Sequence, residues 1–132
     1  MTHRLPIRVY YEDTDMAGIV YYANYLRYIE RARSDWVREL GIDQLQMKAE
    51  GVVFAVRRVE ADYMAPAVLD DCLEVRTEVV ELTAARMMMA QKVYRGADLL
   101  FAAMVTIVCI GPGGRPARLP AKLRSLPLSQ AG

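Results

Sequence analysis

The sequence predicts an α+β domain in which one long helix packs on a five-stranded, mainly antiparallel sheet. Three observations predict it. A single segment, residues 22–40, repeats apolar residues at spacings of three and four, the period of a helix with one buried face. Five other segments read as strands, by two-residue alternation or as short apolar runs between turn residues. Their order is strand, helix, then four strands, and a lone amphipathic helix must cover one face of such a sheet. All of this fits in 132 residues, so 1–132 are read as a single domain.

In the first strand, residues 4–11, Leu5, Ile7, Val9 and Tyr11 alternate with Arg4, Pro6, Arg8 and Tyr10, and Pro6 marks an edge or a strand start. An acidic, glycine-containing stretch follows over 12–18. The helix has Asn24 as its expected N-cap and Gly41 as its stop. A short second helix fits 43–49, ending at Gly51. Strands then cover 52–63, closed by Ala65-Pro66; 71–82; and 87–95, followed by a Gly96-Ala97-Asp98 turn. The last, 99–110, is almost wholly apolar, which suits a strand covered on both faces. Beyond it, about 111–132, lies a proline-containing tail with Arg115, Arg118, Lys122 and Arg124 and no acid. The second face or edge of the sheet also needs cover, which predicts self-association, a symmetric dimer being the simplest form.

Composition narrows the function. Charged residues at 25% and hydrophobic ones at 54% exclude a disordered or collagen-like chain. A net charge of +1 argues against nucleic-acid binding. No apolar run reaches the roughly 18 residues of a membrane helix, and no signal-peptide hydrophobic region opens the chain. Cys72 and Cys109 are too few for a disulfide scaffold, so the expected compartment is the reducing cytoplasm. His3, the single histidine, is expected on the surface near the terminus, which leaves Ser-His-Asp and Cys-His mechanisms without a base. No spacing suggests a zinc site, and no metal or cofactor is expected.

The chemistry concentrates before the long helix. Free backbone N–H groups and the positive end of the helix dipole point into residues 12–18. Such a place can hold a phosphate, cap itself, or polarise a carbonyl oxygen. Glu12, Asp13 and Asp15 disfavour phosphate. Spacing alone leaves Asp13 and Asp15 as caps or as working carboxylates.

The run Asp13-Thr14-Asp15-Met16-Ala17-Gly18-Ile19-Val20-Tyr21-Tyr22-Ala23-Asn24-Tyr25 resembles the signature of hotdog-fold acyl-CoA thioesterases of the 4-hydroxybenzoyl-CoA thioesterase family. Within that family it most resembles the branch associated with the Tol-Pal system. The resemblance extends through Glu30-Arg31-Ala32-Arg33, Phe54-Ala55-Val56-Arg57, Asp62-Tyr63-Met64-Ala65-Pro66, Asp70-Asp71 and Arg118-Leu119-Pro120. It implies a single hotdog domain that hydrolyses acyl-CoA to a carboxylate and free CoA. It implies Asp15 as the catalytic carboxylate, attacking the thioester to give a mixed anhydride or activating a water. Backbone N–H groups near Tyr22 would hold the carbonyl oxygen, and Gly18 would let the backbone approach the substrate. Ile19 and Tyr25 fall in the same signature as substrate-binding candidates. Tol-Pal-associated members commonly carry His at the position of Tyr22, whereas the hydroxybenzoyl enzyme has Tyr; a backbone role survives either.

Glu30 matches a carboxylate near the acyl pocket of the hydroxybenzoyl enzyme and lies about 80° around the helix from Tyr22. Its alternative is a salt bridge on the rim. Arg33 falls near the centre of the apolar stripe, so a structural ion pair with Asp13 or Glu12 is expected. Arg86 is what this chain keeps of the basic cluster that meets CoA in the hydroxybenzoyl enzyme, with Arg57, Arg58 and the tail arginines as alternatives. Met87-Met88-Met89 reads as core and interface filling, or as an adaptable acyl tunnel. Family members build their sites between protomers, so a homodimer or homotetramer is implied. A different class stays open: a non-catalytic hotdog protein of lipid metabolism that docks acyl carrier protein through its basic tail. A hotdog dehydratase is disfavoured, because its usual His–acid pair is absent.

Overall fold

Alternating residues near the start of the chain form β1 (His3–Arg8) in the computed structural model, which describes residues 2–127. A turn of 3-10 helix (Tyr11–Asp13) and a loop lead to α1 (Asn24–Glu39) and then α2 (Gln44–Ala49). Four long strands follow: β2 (Val53–Tyr63), β3 (Cys72–Leu82), β4 (Arg86–Arg95) and β5 (Asp98–Ile110). Their order in the sheet is β1-β3-β4-β5-β2, antiparallel throughout, which is the predicted α+β arrangement. The sheet has six strands rather than five. β6 (Pro116–Ala117) pairs with Cys109 and Ile110 of β5, beyond the reach of β4, whose Arg86 lies opposite Val108. Two residues are too few to show alternation, so sequence patterning could not reveal this strand.

The tail is also more ordered than its composition suggested. After β6 it forms α3 (Ala121–Arg124), burying Leu119 and Leu123, and the Leu119 N–H donates to the Ala84 carbonyl at 2.9 Å. Residues 128–132 of the predicted tail lie outside the described residues.

Residues Tyr25, Tyr28, Ile29, Ala32, Trp36 and Val37 form the buried face of α1, which lies against β1, β3 and β4. Val75, Met87, Met89, Val93, Phe101 and Val105 meet it from the sheet. The N-cap of α1 is Ala23, not Asn24. Asn24 lies inside the first turn, and its side-chain amide donates to the Asp13 carbonyl at 2.8 Å, tying the preceding loop to the helix instead of capping it. Gly41, at φ +80°, ends the helix as expected, its N–H returning to the Arg38 carbonyl. β5 is covered fully on one face and, apart from the buried Leu100 and Thr106, only partly on the other. Phe101, Ala103, Val105, Ile107 and Cys109 are buried, whereas Ala102, Met104, Val108 and Ile110 on the other face are half-buried. No helix among the described residues is long and apolar enough to cross a membrane.

This arrangement brings three links together. β1 runs directly into the acidic loop, with Val9 bonded to Asp71 and Asp70 through its N–H and C=O. The segment joining β2 to β3 passes beneath that loop, where the Val20 N–H donates to the Ala67 carbonyl at 2.8 Å and Ile19 bridges Val68.

Candidate active site

The acidic loop is a small hairpin. Thr14 pairs with Val20, the Asp15 N–H donates to the Ile19 carbonyl at 2.9 Å, and the Gly18 N–H returns to the Asp15 carbonyl at 3.0 Å. The Asp15 Oδ1 accepts the Ala17 N–H at 2.9 Å, which fixes its side chain over the turn. Gly18 closes the turn at φ +79°, and a methyl group there would meet nothing within 4 Å. Backbone conformation, rather than crowding, therefore requires glycine. Gly18→Ala is expected to strain the turn by about 1–2 kcal/mol. That strain is released on unfolding, so the melting temperature should fall by several degrees and amide exchange at Asp15 and Gly18 should quicken; an unchanged melting temperature would refute it. Asp13 organises the loop from within. It is buried, its Oδ2 accepts the Tyr10 N–H at 2.8 Å, and its carbonyl accepts from Tyr21 N–H and the Asn24 amide.

Asp15 lines a cavity of about 460 Å³ together with Ile19, Tyr22 and Tyr25. Val20 and Tyr21 line it from the same side, and the facing wall is Tyr63, Met64, Ala65 and Pro66, from the end of β2 and the turn beyond it. Sequence reasoning matched this stretch to the family without assigning it to the site; its motif, forty residues downstream, was the available signal. The Tyr63 hydroxyl donates to the Tyr22 carbonyl at 2.9 Å. The Tyr22 and Ala23 N–H groups donate to no other backbone group among the described residues, so both are available at the helix start. Tyr25 stacks on Phe101 at 5.0 Å, and its hydroxyl accepts the Ala67 N–H. Burial pushes the Tyr25 and Tyr63 hydroxyls above the usual tyrosine range, so both are protonated at neutral pH.

The turn beneath this wall is held by Asp71. Its Oδ2 accepts from Arg95 Nη1 at 2.8 Å and from the Val68 N–H at 2.9 Å. Partial burial raises its carboxyl, but the Val68 N–H and Arg95 outweigh that and leave it below the usual range. A lowered folded-state value means stabilisation that is full above the ordinary carboxylate range and lost as pH falls through the folded value. Asp71→Asn is therefore expected to cost about 1 kcal/mol at neutral pH, modest because the Arg95 head remains partly in water. In thermal melts the gap to wild type should close below about pH 4; a gap independent of pH would show that the charge contributes nothing.

The model of the thioesterase-like superfamily matches residues 9–126. The chain belongs to that superfamily. This thioesterase is 41% identical over 127 residues to the acyl-CoA thioester hydrolase YbgC of Escherichia coli, covering 96% of this chain and 90% of the relative. It is 38% identical to the acyl-CoA thioesterase YbgC of Haemophilus influenzae, covering 91% and 90%. A probable thioesterase from Bartonella henselae superposes with a TM-score of 0.86 at 36% identity, covering 91% of this chain and 100% of that one. A 1,4-dihydroxy-2-naphthoyl-CoA thioesterase from Synechocystis superposes at 0.86 with 26% identity, covering 92% of each. The family, the branch and the hotdog fold inferred from the motif are borne out.

The other predicted residues of the thioesterase are dispersed. Glu30 lines a second cavity, between α1 and β2, rather than the Asp15 cavity. Arg86 lines neither of these two, and its Nη2 donates to Glu81 Oε1 at 3.0 Å across the β3–β4 turn. Arg33 forms no ion pair with Asp13 or Glu12, contrary to expectation; its Nη1 donates to Gln91 Oε1 at 2.9 Å, because its place on the helix faces β4 instead of the loop. Desolvation draws its guanidinium below the usual arginine range, with the nearby Glu30 charge opposing. Met87 and Met89 are core residues, while Met88 faces the other side.

His3 is buried, not exposed. The strand carries it against α1, where its Nε2 lies 2.8 Å from Asp35 Oδ2 and 3.7 Å from Glu39 Oε2. These three groups are close enough to suggest a cation site. However, a metal-bound imidazole normally donates its other N–H to an acceptor, and the buried Nδ1 has no partner among the described residues. The cluster reads as a clasp between strand and helix. Cys72 is exposed, and Cys109 is buried with its thiol pushed up to about 11; both are free.

Proposed function

We propose that the chain hydrolyses acyl-CoA thioesters with Asp15 as its reactive carboxylate. The observation that carries this reading is the position of Asp15, in the wall of an aromatic cavity beside unengaged N–H groups at the start of α1. The thioester carbonyl oxygen is placed against the Tyr22 and Ala23 N–H groups, which stabilise the negative charge that develops on attack. The Ala17 N–H occupies Oδ1, which leaves Oδ2 as the working oxygen. By the nucleophilic route Oδ2 bonds to the carbonyl carbon, CoA leaves as thiolate, and water hydrolyses the anhydride. By the general-base route Oδ2 takes a proton from the attacking water. Both consume one water and release a carboxylate and CoA, and neither needs histidine.

The whole chain acts as one domain, in the cytoplasm, as at least a homodimer. β2 supports the pairing. It is an eleven-residue edge strand with Val53, Val56, Val59 and Tyr63 exposed, whereas the opposite edge, β1, has six residues and contains Pro6. The half-covered face of the sheet, with Met88 and Met104, supports a tetramer built from two dimers. Docking of acyl carrier protein through the tail is the weaker reading. All four tail cations are exposed, but Lys122 Nζ and Arg124 Nε donate to the Gly41 and Leu119 carbonyls, leaving Arg115 and Arg118 as the tail cations without such a bond among the described residues.

Thiol release tests the proposal, with acyl-CoA substrates from short aliphatic through long-chain to 4-hydroxybenzoyl, and Asp15→Asn alongside wild type. Release that depends on Asp15 is expected. No release from any substrate, by a folded and oligomeric protein, would overturn acyl-CoA hydrolysis in favour of carrier-protein substrates or a binding role.

A further inference from the structure

The first turn of α1 begins without a side-chain cap. Ala23 stands at the N-cap, where a methyl group has nothing to bond with. The Leu26 N–H returns to the Ala23 carbonyl at 3.1 Å, and the Tyr22 carbonyl accepts from no backbone N–H among the described residues. Its partner comes from another element. The hydroxyl of Tyr63, the last residue of β2, donates to it at 2.9 Å.

Tyr63 is held firmly enough to direct that bond. Its ring lies edge-on to Tyr25 at 5.6 Å and to Phe101 at 5.0 Å, so α1 and β5 both fix it. A hydroxyl carries one proton, and the Tyr22 carbonyl takes it, which leaves none for a substrate. Tyr63 therefore acts through its neighbour. The peptide joining Tyr22 to Ala23 is planar and trans, so the Ala23 N–H points opposite to the Tyr22 carbonyl. Pinning the oxygen fixes the direction of that N–H, and the bond it accepts polarises the peptide and strengthens the N–H as a donor.

We infer that Tyr63 is a positioning residue for thioester hydrolysis: by holding the Tyr22 carbonyl, it aims and polarises the Ala23 N–H that meets the charge developing on the substrate oxygen. This rests on the proposed hydrolysis, in which Tyr22 and Ala23 supply the donors. The effect belongs to the transition state, because the carbonyl oxygen of a bound thioester carries little of that charge.

Steady-state hydrolysis by Tyr63→Phe is the first test. Removing an oxyanion donor outright costs about 10²–10³ in rate; here the donor is only weakened, so kcat should fall about 10-fold. KM should stay within about twofold, because ground-state binding is spared. A kcat equal to wild type, or a loss carried by KM instead, would overturn the assignment. A fluorinated tyrosine at position 63 gives a readout that packing alone does not move. It keeps the ring and the hydroxyl but makes the proton more acidic. Burial holds the ordinary hydroxyl above the usual tyrosine range, and a phenolate cannot donate. The fall of kcat at high pH should therefore move to lower pH than in wild type. Asp15, Tyr21, Tyr22 and Tyr25 also line the cavity, and fluorine at position 63 separates its ionisation from theirs. An alkaline fall that does not move counts equally against the assignment. Thiol release by wild type that both variants leave untouched removes Tyr63 alone. No release by wild type removes the hydrolysis on which its role rests.

Discussion

Asp15→Asn is expected to lower kcat by at least about 100-fold, the scale of losing a positioned acid–base group, while the protein folds normally. Asp15 is half-buried at a loop tip, and the one hydrogen bond its side chain makes among the described residues is from the Ala17 N–H to Oδ1. Asparagine can keep that bond, so the hairpin and the Gly18 turn should persist. What disappears is the negative charge on the second oxygen, which either mechanism requires. Single-turnover thiol release, with circular dichroism as the folding control, checks this. A rate within a few-fold of wild type would remove Asp15 from the chemistry.

Gln91→Leu is expected to cost about 2–4 kcal/mol of stability. Gln91 is fully buried, and it joins helix to sheet through three bonds. Its Nε2 donates to the Ile29 carbonyl at 2.9 Å and to Thr77 Oγ1 at 3.0 Å, and its Oε1 accepts from Arg33. Leucine preserves the volume, so little of the loss comes from a cavity. Instead Thr77, itself buried, and the Arg33 guanidinium lose partners in a low-dielectric interior. Urea titration should show a lower midpoint at unchanged slope. An unchanged midpoint would mean that water or the flanking groups already satisfy these atoms. Thr77→Val on the same background should recover part of the loss, because it removes one stranded hydroxyl.

The long elements were legible because their periodicity is long enough to count. Sixteen residues of α1 and eleven or more in β2, β3 and β5 carry a repeat that propensity alone does not blur. Two residues of β6 and the isolated Leu119 and Leu123 carry none, and a basic, proline-containing context disguised them. His3 read as a surface residue because strand alternation says which side a residue faces, not whether a helix waits there. The Asp15 loop stood out through its residue types and its place before a helix, but the other wall of its cavity comes from the end of β2. Only the sheet order puts Tyr63 next to Tyr22. Arg33 shows the same limit: helical spacing placed it on the buried stripe, whereas its partner, Gln91, depends on how α1 crosses β4.

β1 meets its neighbour across about half of the chain, with His3 opposite Thr77 and Arg8 opposite Cys72. Pairings so distant in sequence carry a large loop-closure entropy, whereas β3–β4 and β4–β5 join consecutive strands. β1 is also short, lies at the edge, and is clasped to the helix by His3 and Asp35. Opening of this one strand is therefore among the least costly excursions open to the fold. The hairpin that holds Asp15 hangs from its end. Loss of activity on heating is therefore expected at a lower temperature than loss of the β3–β4–β5 pairing, and it should reverse on cooling.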